Sequence, residues 1–439
     1  MTRLKPSTYA RLCDQLKSDY FATNTIRFLK TFKLDIGILV FYCNQSTPFS
    51  LGICLLHPST QLLQCYADTP IWRSTEKLQS MSLRKARQKI ILQFLIADQK
   101  CHIDFHVIDL VRALKKTRVL SKVRENPILT PKRHSTWESH SVFNPGVLLL
   151  DDQVHFIYRA IGDQGQSVFG YAKSEDGVHI AQRFKQAVYP IQPQYYPKTK
   201  KRIQYGSGGS CYGTEDPRLV NINNVIYMTY TAFDGCHAPG IHLTSISVQN
   251  FLQQNWQWSS PIRLSPVDEI HKNWVIFPEL IQNQYAILHS ISPEIRIDYF
   301  PSLAFKRAPN IKSHYTPSAR AMHWDSWIRG VGPIPLSIEE GWLILYHAMD
   351  HRDPGRYKLG AMILAKHDPT QILFRSHVPL LEPDHSYENE GHKSGVIYCC
   401  GAVIKDERLL VYYGGADKVI CLAHAPVKDV VELIKQGTV

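Results

Sequence analysis

From about residue 140 onward the chain repeats one pattern. A short segment of alternating or wholly apolar residues, rich in Tyr, runs out into a polar or charged position. VHFIYRA (154–160), VIYMTYTAFDG (225–235), YAILHSIS (285–292), WLILYHAMD (342–350) and LLVYYGGAD (409–417) are its five copies. Runs this short, with a period of two, predict β-strands. With Tyr158, Tyr230, His289, Tyr346 and Tyr413 taken as equivalent, the spacings are 72, 59, 57 and 67 residues. That is too long for a solenoid repeat and right for a four-stranded propeller blade. Asp151-Asp152-Gln153, Glu175-Asp176-Gly177, Asn221-Ile222-Asn223-Asn224 and Asp353-Pro354-Gly355 supply turns between the apolar segments. Helical periodicity is scarce beyond residue 125. The pattern predicts a mainly β protein, with a five-bladed β-propeller over residues 116–439. One chemically distinctive residue follows each equivalent position: Arg159, Thr231, Ser290, His347 and Gly414. Equivalent blades would bring them to one end of a central channel; in a scaffolding propeller the same positions would only decorate a rim.

The first third reads differently. Apolar residues at three- and four-residue steps predict a helix over 7–33, and 35–43 and 50–56 read as strands. A basic stretch precedes IILQFLIA (90–97), and HIDFHVIDLVRAL (102–114) follows. These features predict an N-terminal α+β domain over 1–115, with its own core and no assigned role. Residues 1–134 hold 22 Lys and Arg against 9 Asp and Glu, whereas 135–439 hold 28 against 29, so the net charge of +12 resides in the first third. A basic face is ordinarily solvated surface; the other reading is an acidic partner or surface. No aromatic-interleaved motif supports nucleic acid.

Composition narrows the classes further. At 44% hydrophobic and 11% aromatic, the 439 residues exclude a disordered chain. No apolar run approaches the ~18 residues of a membrane-spanning helix; the best, Ile36 to Tyr42, suits a buried strand. The opening MTRLKPSTYARLCDQLKSDYF lacks the apolar core of a signal peptide, so a cytoplasmic protein without a membrane span is expected. The ten Cys form no C-x-x-C pair, which points to reduced thiols, buried at Cys399-Cys400, and to no metal. His271 and His351 stand without a second ligand at metal-binding spacing. The oligomeric state, monomer or homo-oligomer, is not set by the sequence.

The strongest local motif is Tyr212-Gly213-Thr214-Glu215-Asp216-Pro217-Arg218. Pro217 biases Asp216 toward an extended backbone and removes a donor, so the two carboxylates are not a helix cap. They form either a charged catalytic turn or a turn closed by its own salt bridge. Gly206-Ser207-Gly208-Gly209-Ser210 lacks the Lys-Ser/Thr and helix of a phosphate loop, and reads as a mobile loop leading into that turn. The Tyr- and Pro-rich stretch from Tyr189 to Tyr205 reads as a solvated insertion, with aromatics suited to stacking on a sugar.

ENPILTP (125–131), WESHSVFNPGVLLLDDQVHFIYRAIG (137–162), YGTEDPRL (212–219), HKNWVIFPE (271–279), GVGPIPL (330–336), GWLILYHAMD (341–350), YKLGAMILAKHDP (357–369) and VYYGGAD (411–417) together resemble glycoside hydrolase family 130. The resemblance covers roughly 118–435 and leaves out 1–115. It implies a five-bladed propeller and, in most members, a β-mannoside phosphorylase; some members are β-mannosidases. It makes Asp216 the single catalytic acid, whose proton a mannose hydroxyl is thought to relay. It makes Asn144, Arg159 and Arg218 mannose-binding, with Asp234 and Asp417 adding bonds to sugar hydroxyls. Arg329, His347 and Tyr357 resemble the phosphate ligands. The expected reaction is inverting phosphorolysis of β-mannoside oligosaccharides with phosphate as co-substrate and no cofactor.

One departure matters. Phosphorylases of the family commonly read Leu-His-Arg where this chain reads Leu288-His289-Ser290. The family's hydrolases have lost basic phosphate ligands and gained carboxylates, and Glu294 lies four residues on. An inverting hydrolase needs a second carboxylate roughly 6.5–9.5 Å from the first; a phosphorylase needs only one acid, because phosphate is the nucleophile. Lys272 or Arg296 are candidates for the missing charge. The alternatives to the phosphorylase are thus a β-mannoside hydrolase and an inactive glycan-binding propeller.

Overall fold

In the computed structural model all five repeated segments are strands: Gln153–Ile161, Val225–Phe233, Tyr285–Ile291, Gly341–Asp350 and Arg408–Gly415. The structure describes residues 12, 16, 26–34, 37–44, 49–56, 63–67, 70–76, 78–113, 115–116, 119–189, 210–267, 269–309, 311–313, 323–351 and 353–437. The chain divides into two units, Met1–Arg118 and Val119–Val439.

In the second unit each repeated strand is the middle of an antiparallel group. The strand before it is Ser141–Leu150, Tyr212–Ile222, Val275–Ile276, Trp327–Val331 or Ile397–Lys405. The strand after it is Gln166–Ser174, Gly240–Ser247, Ile295–Phe300, Asp353–Leu364 or Val419–Pro426. A two-residue parallel pairing at Gln166 and Ser167 joins the first two groups into one sheet. Ser121–Lys122, near the start of the unit, pairs with Val419–Pro426 near its end, so the last group is completed by the first strand. The leading strands approach closely where side chains are missing. A Cβ on Gly146 would lie 2.6 Å from the Pro217 carbonyl oxygen, and one on Gly401 would lie 2.6 Å from that of Pro145. These contacts bring the leading strands of the first, second and fifth groups together.

Three groups share a buried polar staple. Trp137-Glu138, Trp324-Asp325 and Tyr387-Glu388 each place a buried acid beside the Tyr of the repeated strand. Tyr158 donates to Glu138 at 2.7 Å, Tyr346 to Asp325 at 2.8 Å and Tyr413 to Glu388 at 2.8 Å. A cation completes each: Arg183 at 2.6 Å, Arg375 at 3.0 Å and Lys122 at 2.6 Å. Trp137 and Trp324 stack on the same Tyr rings. Each staple fixes the middle strand of its group to chain outside that strand, which apolar packing alone does not register. Helical structure is short, as expected: Val248–Leu252, Ser386–Asn389 and an amphipathic Val427–Lys435 that buries Val430, Val431 and Ile434.

The first unit is mostly β. One sheet runs Ile26–Leu34, Gly37–Asn44, Phe49–Leu56, Leu63–Tyr66 and Lys115–Lys116, with Trp72–Ser74 also on Phe49–Leu56; a second runs Ser80–Ala86, Lys89–Ile96 and Gln99–His106. The helix Val107–Ala113 follows. The helix expected over 7–33 is corrected here: 26–33 is strand, and most of 7–25 lies outside the described residues. Its three- and four-residue spacing lost to pairing, because Ile26–Leu34 hydrogen-bonds along Gly37–Asn44. That second strand is apolar throughout because it is buried on both sides. Leu39, Phe41 and Cys43 enter one core, and Ile38, Val40 and Tyr42 the other. No helix among the described residues is long and apolar enough to cross a membrane.

Truncating Glu388 takes the acceptor from the buried Tyr413 hydroxyl and leaves Lys122 with Asp384 and the Glu382 carbonyl. Glu388→Ala should therefore lower the unfolding free energy by about 1–3 kcal/mol. Urea denaturation measures it, and a loss below about 1 kcal/mol would show that the staple is no more than a surface ion pair.

Candidate active site

In a regular strand neighbouring side chains point to opposite faces, so Glu215 and Asp216 should not reach the same partner. They do. Arg159 Nη2 meets Glu215 Oε1 and Arg159 Nη1 meets Asp216 Oδ1, both at 3.1 Å. A bulge makes this geometry: Glu215 pairs with Thr231 and Arg218 with Thr229, leaving Asp216 and Pro217 opposite one residue. The extended backbone expected before Pro217 is corrected here: the bulge puts Asp216 in a left-handed conformation with φ of 54°, and Pro217 has no N–H for the bulge to strand. The first group repeats the device. Asn144, at φ 47° and followed by Pro145, bulges between Phe143 and Gly146. Bulges recur at Arg329 and Cys400 in the leading strands of the fourth and fifth groups.

These bulges assemble a buried polar cluster. Asn144 Nδ2 donates to Asp216 Oδ1 at 2.8 Å. Arg159 also donates to Ser167 and Ser210, at 2.8 and 2.9 Å, and its guanidinium lies over Phe143. Glu215 accepts from Ser210 at 3.1 Å and from Lys272 Nζ at 2.8 Å. Arg218 Nη1 donates to the Asp216 carbonyl at 2.9 Å, and its Nε to the Gly332 carbonyl at 2.7 Å. Burial alone would push the Asp216 carboxyl up. The charges of Arg159, Lys272 and Arg218, with the Asn144 hydrogen bond, instead hold it at about 2. Its ionisation stabilises the fold above the ordinary carboxylate range, and that contribution is lost as pH falls toward 2.

A second layer hangs on Asn273, itself at φ 65°. Its Oδ1 accepts from Arg218 at 2.8 Å and from Tyr398 at 2.6 Å, while its Nδ2 donates to the Arg329 carbonyl at 3.0 Å. Arg329 Nε donates to the Tyr357 hydroxyl at 3.1 Å. His347 is fully buried and stacks on Tyr398 with centroids 4.1 Å apart. The Cys399 backbone N–H donates to His347 Nε2 at 2.8 Å, so Nε2 carries the lone pair and Nδ1 the proton. Burial, then the Arg218 charge, lower the imidazole to about 3. His347 Nδ1, Asn144 Oδ1 and Thr231 Oγ1 are buried without a hydrogen-bond partner among the described residues. Such atoms are costly unless a ligand meets them. Asp417 is buried too. Burial raises its carboxyl, against the opposing charges of Arg159 and Lys393.

The structure thus brings Asn144, Arg159, Asp216 and Arg218 into direct contact and links Arg329, Tyr357 and His347 to them through Asn273, Tyr398 and Cys399. Asp234 is not brought in. Its carboxylate accepts the Cys236 and His237 amides and pairs with His237 at 2.7 Å, closing its own exposed turn. Ser290 lines a cavity with Lys272, Asn273, His289 and Arg329, and donates to the Ser292 carbonyl. Glu294 and Arg296 pair with each other at 2.6 Å near the surface, and Arg296 lies opposite Ser290 on the neighbouring strand. Tyr189 is buried against Tyr230 rather than solvated; residues 190–209, with most of the glycine-rich loop, lie outside the described residues. His271 pairs with Glu269 at 3.0 Å and His351 with Ser326 at 2.9 Å. Asn273 and Tyr398 were missed by sequence reasoning, which read Glu215 only as the second carboxylate of the charged turn and Ser210 only as part of the glycine-rich loop. The repeated X-Pro signal, Asn144-Pro145 and Asp216-Pro217, could have placed the bulges; nothing local marks Asn273 or Tyr398.

A family model described as beta-1,4-mannooligosaccharide phosphorylase matches residues 106–436. A 1,2-beta-oligomannan phosphorylase of Thermoanaerobacter sp. (strain X514) is 32% identical over 320 residues, covering 71% of this chain and 98% of the relative. A beta-1,2-mannobiose phosphorylase of the same organism is 29% identical over 317 residues, covering 69% and 96%. Among solved structures, the Listeria innocua beta-1,2-mannobiose phosphorylase bound to beta-1,2-mannobiose is similar, with a TM-score of 0.56 and 22% identity, covering 72% of this chain and 99% of that one. A structure from work on GH130 glycoside hydrolases that target beta-1,2 mannosidic linkages in Candida mannan has a TM-score of 0.57 and 23% identity, covering 70% and 94%. At these identities the structural likeness shows the fold alone.

With its imidazole lowered to about 3, His347 should stay neutral across the ordinary assay range. Its ring NMR signals should hold a single Nδ1–H tautomer and not move between about pH 5 and 8. A titration inside that window would mean the ring is solvated or turned away from the Cys399 amide.

Proposed function

The chain belongs to glycoside hydrolase family 130, and we propose that it cleaves β-mannosides by inverting phosphorolysis. A phosphate oxygen attacks the anomeric carbon from the face opposite the leaving group. The glycosidic C–O bond breaks, its oxygen takes a proton, and α-mannose 1-phosphate and a shortened acceptor result. Asp216 is the acid. Asn144, Arg159 and Arg218, with Asp417, orient the mannose; Arg329, Tyr357 and the Nδ1–H of His347 face the phosphate.

The observation that carries this reading is the donor set assembled around one acid. Arg329 is bonded to Tyr357, His347 presents a proton on Nδ1 with no partner among the described residues, and Glu215 is already committed to Arg159 and Lys272. A neutral imidazole donor, a phenol and a guanidinium suit an oxyanion and activate no water. The five antiparallel groups are best read as the blades of a five-bladed propeller, supported by the close approach of the leading strands and by Ser121–Lys122 joining the last group. The two Thermoanaerobacter relatives carry β-1,2 names and the family model a β-1,4 one, so both linkages are candidates, with β-1,2 first. Phosphorolysis conserves bond energy only where mannose 1-phosphate is retained, which goes with a cytoplasmic site of action.

A second reading, phosphate-independent hydrolysis, is favoured by Ser290 in place of an arginine and by Asp417, a second buried carboxylate in the field of Asp216. Products of β-1,2- and β-1,4-linked mannosides, assayed with and without phosphate, separate the two. Mannose 1-phosphate that forms only with phosphate is the expected result; free mannose at a rate indifferent to phosphate would select hydrolysis. Asp216→Asn should cut turnover by at least about 10²-fold in a chain that still folds, and near-normal turnover in that variant would overturn the assignment. Ser290→Arg should lower the apparent KM for phosphate, and an unchanged KM would mean Ser290 does not face it.

A further inference from the structure

The loop Gly391–Gly395 carries a cation that the sequence motifs do not mark. Its backbone is sewn to two sides of the site. Tyr357 N donates to the Gly395 carbonyl at 2.9 Å, and Lys393 N to the Ala416 carbonyl at 3.0 Å. The Gly395 and Val396 amides both donate to the Glu388 carbonyl, at 3.0 and 3.2 Å, and Ala416 N returns a bond to Val396. Lys393 is therefore fixed between Tyr357 and Asp417. Its ammonium lies 4.5 Å from the centroid of the Tyr357 ring, the ring whose hydroxyl accepts from Arg329. Its charge acts on Asp417. The side chain is half-buried and makes no ion pair among the described residues. Lys272, by contrast, is matched by Glu215 at 2.8 Å.

We propose that Lys393 is an anion-binding residue of the phosphate subsite, standing with Arg329 around Tyr357 and supplying a charge that Ser290 does not. The proposal rests on the phosphorolytic reading and extends it to a residue outside the motifs. A lysine suits the place. Its ammonium sits over the Tyr357 ring at the end of a flexible stem, a point charge able to follow phosphate from nucleophile to ester. An arginine at 290 would approach from another strand, so the cationic face of the subsite is rebuilt from the other side.

Kinetics of Lys393→Ala and Lys393→Arg test it, with phosphate and mannoside varied separately. For Lys393→Ala the KM for phosphate should rise about tenfold or more, far more than the KM for mannoside changes, and Lys393→Arg should recover most of the loss. Adding Ser290→Arg to Lys393→Ala should also restore part of the phosphate affinity. A phosphate KM unchanged in Lys393→Ala, or a rise in mannoside KM alone, would overturn the role of Lys393 while leaving phosphorolysis standing. Turnover of the unmodified protein without phosphate would instead overturn the reaction itself. Calorimetric titration of inorganic phosphate into the unmodified protein and Lys393→Ala gives a readout independent of substrate. Weaker binding by the variant is expected, and equal binding would refute the proposal.

Discussion

The site depends on two adjacent carboxylates being forced onto one side of a strand. An extended backbone would send Glu215 and Asp216 to opposite faces, one of them into apolar packing. The left-handed turn at Asp216, with no amide hydrogen on Pro217 to leave unpaired, rotates both onto Arg159. The cost of a non-glycine residue at positive φ is of order 1–3 kcal/mol, and the buried ion pairs offset it only while every partner is present. That explains the depth of support around the pair. Ser167, Ser210, Asn144, Lys272 and Arg218 each satisfy one remaining donor or acceptor. Removing any one exposes a buried charge rather than a spare contact.

Not all of this was legible in the residues. The five middle strands could be read because a short apolar run bounded by turn residues is a local property, and burial on both faces of a strand writes it directly into the chain. The bulges were half legible: Asp216-Pro217 stood out as a rigid charged turn, while Asn144-Pro145 drew attention only through a family motif. The staples were not read at all. Trp137-Glu138, Trp324-Asp325 and Tyr387-Glu388 look like ordinary surface dipeptides, and their partners, Arg183, Arg375 and Lys122, are distant or precede them. No local pattern encodes a pairing across 266 residues, such as Lys122 with Glu388. The helix expected over 7–33 failed for the complementary reason. Its spacing was a real local pattern, but Ile26–Leu34 found a better partner in the next strand.

The same contrast separates the site residues. Asn144, Arg159, Asp216 and Arg218 are fixed by backbone geometry close to them in sequence, and the structure brings them into contact. Asp234 follows an equally apolar strand, yet an Asx turn with Cys236 and His237 engages its carboxylate first. Asn273 was invisible because its importance is relational. It joins Arg218, Tyr398 and the Arg329 backbone from three different groups, and a single Asn in a sequence carries no sign of that. Glu294, marked as a candidate second carboxylate, lies two residues from Arg296 and pairs with it near the surface.

The remaining difficulty is protonic. An acid held at about 2 is a carboxylate at neutral pH, and a carboxylate cannot give a proton to a leaving oxygen. The cations that hold it down, Arg159, Lys272 and Arg218, are not those assigned to phosphate, so an incoming anion acts on the carboxylate through its own field. A like charge nearby disfavours the ionised form of a buried carboxyl. A phosphate dianion held by Arg329 and Tyr357 would therefore shift Asp216 from a structural anion toward a usable acid. In the phosphorolytic reading the nucleophile then arms the acid as it binds, and water, carrying no charge, cannot. Selectivity for phosphate over water would follow from the electrostatics of the buried cluster as much as from the shape of the subsite.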